Sequence, residues 1–136
     1  MNVEMREKII SCSIGWVGTP YHHNASIRGV GADCSGLVRG VWRELSGLDL
    51  RSEHPYEPNW HLRSGVGELL LDGLNKHFVK LESQLLEDYP CNHCGIMMGG
   101  RRMLHVVRGG PACIIDLTDW WSEKIVCGFR FGDFSV

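Results

Sequence analysis

The 136-residue sequence holds no run of 18 apolar residues, so hydropathy offers no membrane-spanning helix. Its first residues, Met1 to Lys8, carry no apolar signal core. A target outside the cytoplasm would therefore be reached by some route other than a cleavable signal. There is no excess of either charge: the net value is −2, with acids and bases interspersed, which argues against a nucleic-acid or anionic-membrane footprint. No repeats or low-complexity segments interrupt the chain. A second close-spaced cysteine pair is also missing. Cys91-x-x-Cys94 stands alone, whereas a structural zinc site wants four ligands, often two such pairs.

What is there suits one globular domain spanning residues 1–136, long enough to bury about two-thirds of its unfolded surface. Six cysteines are many for this length; without a signal peptide they are expected to be thiols rather than a disulfide framework. The most informative of them is Cys34. Leu37, Val38, Val41, Trp42 and Leu45 form a helical stripe behind it, with Arg39, Arg43 and Glu44 on the other side and Gly47 at the stop. Asp33 is a natural N-cap. Cys34 thus falls in the first helical turn, where unpaired N–H groups and the helix dipole favour a thiolate. Such a cysteine is either a small buried hydrophobe or, if a histidine reaches it, a nucleophile.

Residues 3–17 read as a helix with Met5, Ile9, Cys12 and Trp16 on one face, ended by Gly18-Thr19-Pro20. A polar loop, Tyr21 to Ala32, leads to the Cys34 helix, which runs to about Ser46. Residues 47–64 look irregular, and Val66, Leu69, Leu70, Leu74 and Phe78 suggest another helix. The pattern then switches to strands at 93–98, 103–107, 112–117 and 124–131, with a turn holding Trp120 and Trp121. Helices first and antiparallel strands second is an α+β pattern, with the helices packed on one side of a C-terminal antiparallel sheet.

His93 and His105 lie on the hairpin around Gly99-Gly100, and register decides whether they cooperate. A two-residue turn would pair Ile96 with His105 and put the histidines on opposite faces. A three-residue loop, Gly99-Gly100-Arg101, pairs Gly95 with His105 and makes the histidines diagonal neighbours on one face. Glycines here favour the second arrangement. Cys94, next to His93, would point to the opposite face of a regular strand, toward the core.

In order along the chain, Trp16-Val17-Gly18-Thr19-Pro20-Tyr21, Asp33-Cys34-Ser35-Gly36-Leu37-Val38, His93-Cys94-Gly95-Ile96 and Met103-Leu104-His105 resemble the NlpC-type family of cell-wall cysteine peptidases. The stretch from Gly18 through Gly40-Val41-Trp42-Arg43-Glu44-Leu45 is closest to the branch found in tailed phages and gene-transfer particles. The resemblance implies a papain-like fold and a Cys-His-His triad, with Cys34 as nucleophile, His93 as general base and His105 orienting it. It implies that Tyr21 lines the site and that Asp33 and Ser35 recognise the free amine of a substrate. The implied activity is endopeptidase cleavage of peptidoglycan stem peptides at the γ-D-glutamyl–diamino acid bond, with no metal or cofactor. The implied setting is a particle or virion tail acting on the cell wall, with tail-tip or hub proteins as partners and neither nucleic acid nor membrane.

The chain departs from the family in one place. Ser83 to Asn92 has no clear equivalent of the Gly-Asp-Val/Leu strand that normally precedes the active-site histidine. Two other readings stay open at this stage: a catalytically silent structural module of a tail tip, and a metal-binding module using Cys91, His93, Cys94 and Cys113.

Overall fold

The computed structural model describes residues 3–47, 79–80, 93–125 and 128–131. Helix α1 spans Val3–Ile14, and its apolar stripe packs inward through Ile9, with Met5 and Cys12 against the core edge. It stops three residues short of the expected end. Beyond Ile14 the amides of Gly15, Trp16 and Val17 bond three residues back, at 3.1, 3.0 and 3.1 Å, which tightens the last turn and closes the helix. Trp16 sits in that turn and is fully buried. Replacing such a residue by alanine costs about 3–5 kcal/mol.

Helix α2, Cys34–Ser46, has the boundaries its sequence predicts. Asp33 is its N-cap, accepting from the Gly36 amide, and Gly47 is a left-handed C-cap whose N–H donates to the Arg43 carbonyl at 2.9 Å. Two glycines let other groups close on this helix: a side chain at Gly36 would meet the Ala25 carbonyl, and one at Gly40 would meet the Trp16 ring. The close approach of Trp16 to Gly40 is how α1 and its turn lock onto α2.

The loop before α2 is more structured than expected. Strands β1 (Ser26–Ile27) and β2 (Gly31–Ala32) form a small antiparallel ladder, and Tyr21 bridges to Ala32. Ser26 ties this ladder to the helix: its hydroxyl donates to the Gly36 carbonyl at 2.6 Å, and its own carbonyl accepts from Arg43 at 2.6 Å. The segment delivering Cys34 is therefore pinned on both sides.

Strand β3 (Val79–Lys80) pairs with β7 (Phe129–Arg130), apart from the main sheet. Among the described residues of the expected 124–131 strand, 129–130 pair, whereas Lys124 and Ile125 continue the turn after a short helix, bonding to the Trp121 and Ser122 carbonyls. The main sheet has three antiparallel strands in the order β4 (Ile96–Gly99), β5 (Arg102–His105) and β6 (Cys113–Asp116). Ile9 of α1, Leu37, Val38 and Val41 of α2, and Ile96 and Leu104 of the sheet share one apolar cluster. The fold is α+β, with the helices packed against the sheet. The expected irregular stretch 47–64, apart from Gly47, the helix over 66–78 and the departure at 83–92 lie outside the described residues.

Candidate active site

The site forms where the N-terminus of α2 meets the open end of the β4–β5 hairpin. Register comes first. Ile96 pairs with Leu104 and Met97 with Met103, but Gly99 pairs with Arg102, so one extra residue bulges between Met97 and Gly99. The turn itself has two residues, Gly100 and Arg101, both with φ of 60°, the twist that suits a tight hairpin. A two-residue turn alone would have split the histidines. The bulge supplies the one-residue shift that the sequence reading assigned to a three-residue loop, and it sets Gly95 opposite His105 on extension.

The histidines meet as a result. His93 Nε2 lies 3.0 Å from His105 Nδ1, and the rings cross at 72° with centroids 5.2 Å apart. His105, at the end of β5, is only 5% exposed. Burial, and then the charge of His93, hold its pKa below the usual histidine range. A neutral His105 is the natural acceptor in this bond. His93 then donates from Nε2, and its side chain is also hydrogen-bonded to Cys34.

Cys34 is the first residue of α2 and is buried. Its pKa is lowered to about 5: a hydrogen bond from Cys94 contributes most and burial opposes it, while His93 adds a hydrogen bond and its charge. The neighbouring Asp33 carboxylate works against ionisation. Cys12 is the internal contrast. Burial and a 3.0 Å hydrogen bond to Glu44 push its pKa up to about 12, so it stays a thiol. Two cysteines on packed helices thus have opposite chemistry, set by their surroundings.

Cys94 packs against the core, as its sequence suggests, yet it also reaches the site. Residues 93–95 precede β4 and are not in a regular strand, so alternation does not apply, and the Cys94 thiol donates to the Cys34 carbonyl at 3.3 Å. Nothing in the sequence distinguishes this position from a core cysteine. Trp121 was also missed: expected in a turn, it lies on helix α3 (Asp119–Ser122) with its ring centroid 5.3 Å from that of His105 and 6.3 Å from that of His93.

The residues expected to meet substrate differ in their surroundings. Asp33 is buried, and both its oxygens are engaged by the protein: Oδ1 accepts from the Gly36 amide at 2.7 Å and the Ser35 hydroxyl at 3.2 Å, and Oδ2 from the Asn24 amide at 2.8 Å. Its observed work is capping. Ser35 is half-buried beside it. Tyr21 is half-buried on the strand bridge to Ala32, with the Arg108 guanidinium 6.0 Å from its ring. Among the described residues no group of three or more His, Cys, Asp or Glu could hold a metal. Cys113 is exposed on β6, and Cys91 lies outside the described residues.

A nucleophile at a helix start, a base on it and an orienting group behind the base make up the constellation of covalent acyl transfer. Solved structures with the same architecture carry related names. The NlpC/p60 domain of the peptidoglycan hydrolase SagA superposes with a TM-score of 0.59 at 17% identity, over 94% of this chain and 98% of that one. A lipoprotein-like protein of the NLP/P60 family from Staphylococcus aureus superposes with a TM-score of 0.62 at 18% identity, over 98% of this chain. This chain spans 43% of that protein's length. The fold is the papain-like fold of NlpC/p60 domains. No family model and no curated protein matches the sequence.

Proposed function

We propose that this protein is a cysteine peptidase of the NlpC type that cleaves peptidoglycan stem peptides, with Cys34 as nucleophile, His93 as base and acid, and His105 orienting it. The observation that carries the reading is the connected set Cys34, His93 and His105, in which His93 Nε2 and His105 Nδ1 are 3.0 Å apart behind a cysteine ionised at neutral pH. The likeness in fold to domains named as peptidoglycan hydrolases supports the substrate class.

In this reading the Cys34 thiolate attacks the amide carbonyl. The Gly36 N–H is taken by the Asp33 cap, and the N–H of Cys34 itself, at the helix start, is left to meet the developing oxyanion. The His93 imidazolium protonates the leaving amine as the acyl-enzyme forms, then takes a proton from the water that releases the acid. The scissile bond in this proposal is that between γ-linked D-glutamate and the following diamino acid. Asp33, Ser35 and Tyr21 border the substrate, and the setting is a particle or phage tail with tail-tip or hub partners. The ionised nucleophile and its paired base favour this reading over a catalytically silent module.

The test is digestion of purified stem peptides by wild type and Cys34→Ala, read by mass spectrometry. Cleavage after γ-D-glutamate that is lost in the variant supports enzyme and bond together. Cleavage that persists in Cys34→Ala, or its absence in wild type, overturns the reading.

A further inference from the structure

Helix α3 has four residues, too few to be stable alone. Its N-cap, Thr118, makes no side-chain capping bond. Asp119, Trp120 and Ser122 are exposed, and Trp121 is the one residue turned inward. The helix is held from the hairpin turn. Arg101 accepts from the Leu117 amide at 2.7 Å through its carbonyl. Its guanidinium donates to the Leu117 carbonyl at 3.1 Å and to the Ser122 hydroxyl at 3.2 Å, and lies 3.6 Å from Asp119. One residue of the turn between the two histidine-bearing segments thus clamps both ends of α3.

That clamp sets the Trp121 indole against the histidines. It stands perpendicular to His105, with centroids 5.3 Å apart, and tilted 40° to His93 at 6.3 Å. Trp120 braces its outer side at 5.0 Å, edge to face. An aromatic ring here does two things. It keeps water from competing for the imidazole–imidazole hydrogen bond, and it limits the ring rotations open to His105.

We propose that Trp121 is a positioning residue for the His93–His105 pair, held over it by Arg101. The proposal rests on the reading of Cys34 and His93 as nucleophile and base, but its decisive test does not require turnover. The side-chain titration of His105 is followed by NMR in wild type, Trp121→Ala, Trp121→Phe and Arg101→Ala, with thermal unfolding run beside it. His93, whose ring lies against that of His105, is followed in the same spectra.

Opening the pair to water in folded Trp121→Ala moves the His105 midpoint up toward the ordinary histidine value. Arg101→Ala, which keeps the indole but releases the helix that positions it, moves it part of the way. Trp121→Phe restores it. On stem peptides, kcat of Trp121→Ala falls about tenfold with a smaller change in KM, as for a misplaced base. Loss of wild-type cleavage would sink the peptidase reading while leaving the titration to decide this one. A His105 midpoint unchanged in both Trp121→Ala and Arg101→Ala overturns the proposal. Should Trp121→Ala not fold, an unchanged midpoint in Arg101→Ala is enough to do so.

Discussion

The Cys94 thiol rests against Cys34, where its one S–H is shared between the Cys34 carbonyl, at 3.3 Å, and the Cys34 side chain. A thiol donor beside a thiolate spreads its charge, and this contact lowers the Cys34 pKa more than the hydrogen bond of His93 does, with the His93 charge adding to the latter. The residue after His93 therefore acts on Cys34.

Alkylation of Cys34 by iodoacetamide, followed on its own peptide by mass spectrometry, reads that contribution directly. In wild type the rate rises through about pH 5 and levels off well before neutrality. In Cys94→Ala the midpoint moves up by about one pH unit, worth about 1.4 kcal/mol of preference for the thiolate. Cys94→Ser, which keeps a donor, recovers most of the shift. A midpoint identical in wild type and Cys94→Ala would assign the ionisation to His93 and the helix N-terminus alone.

His105 sets the acid limit. The bond between His93 Nε2 and His105 Nδ1 needs one unprotonated nitrogen, and burial keeps His105 neutral. Its folded-state pKa is lower than in the unfolded chain, so its contribution to stability is complete above about pH 6.5 and is lost as pH falls through the folded value. Turnover and the thermal midpoint of wild type should decline together below that pH. His105→Asn keeps a polar partner for His93 and removes this titration. It should lower kcat by about ten- to a hundredfold and flatten the acid side of the stability profile. An acid limb lying above pH 6.5 in wild type would contradict the assignment.

Asp33 separates capping from substrate binding. Its carboxylate holds Gly36, Ser35 and Asn24 while opposing ionisation of Cys34. Asp33→Ala should cost about 1–2 kcal/mol through the lost cap, measured by denaturant unfolding. Asp33→Asn keeps one acceptor, so it should cost less while lowering the pH at which Cys34 is alkylated. If the carboxylate also receives a substrate amine, KM on stem peptides rises in Asp33→Asn with kcat little changed. An unchanged KM confines Asp33 to the cap.

Much of this architecture is legible along the chain. The run from Asp33 to Gly47 specifies helix α2 from cap to cap, with its apolar stripe and a cysteine at the first position, because caps and helical periodicity act over a few residues. The α+β order and the hairpin around Gly99-Gly100 follow from equally local signals. The end of α1 was overrun, because backbone bonds at Gly15 to Val17 tighten the turn while Trp16 keeps the apolar spacing.

Tertiary structure decided the rest. The spacing of His93 and His105 allowed two registers, and a bulge beside Met97 selected one, a choice made by strand pairing across the hairpin. Cys94 meets a residue 60 positions away, and Trp121 reaches His105 because Arg101 clamps its helix; neither contact leaves a period or a cap in the sequence. The sequence by itself determined where a reactive cysteine sits and which histidines could serve it. Only packing decided what ionises that cysteine and what lies against the two histidines, because desolvation and hydrogen bonding depend on neighbours distant in the chain.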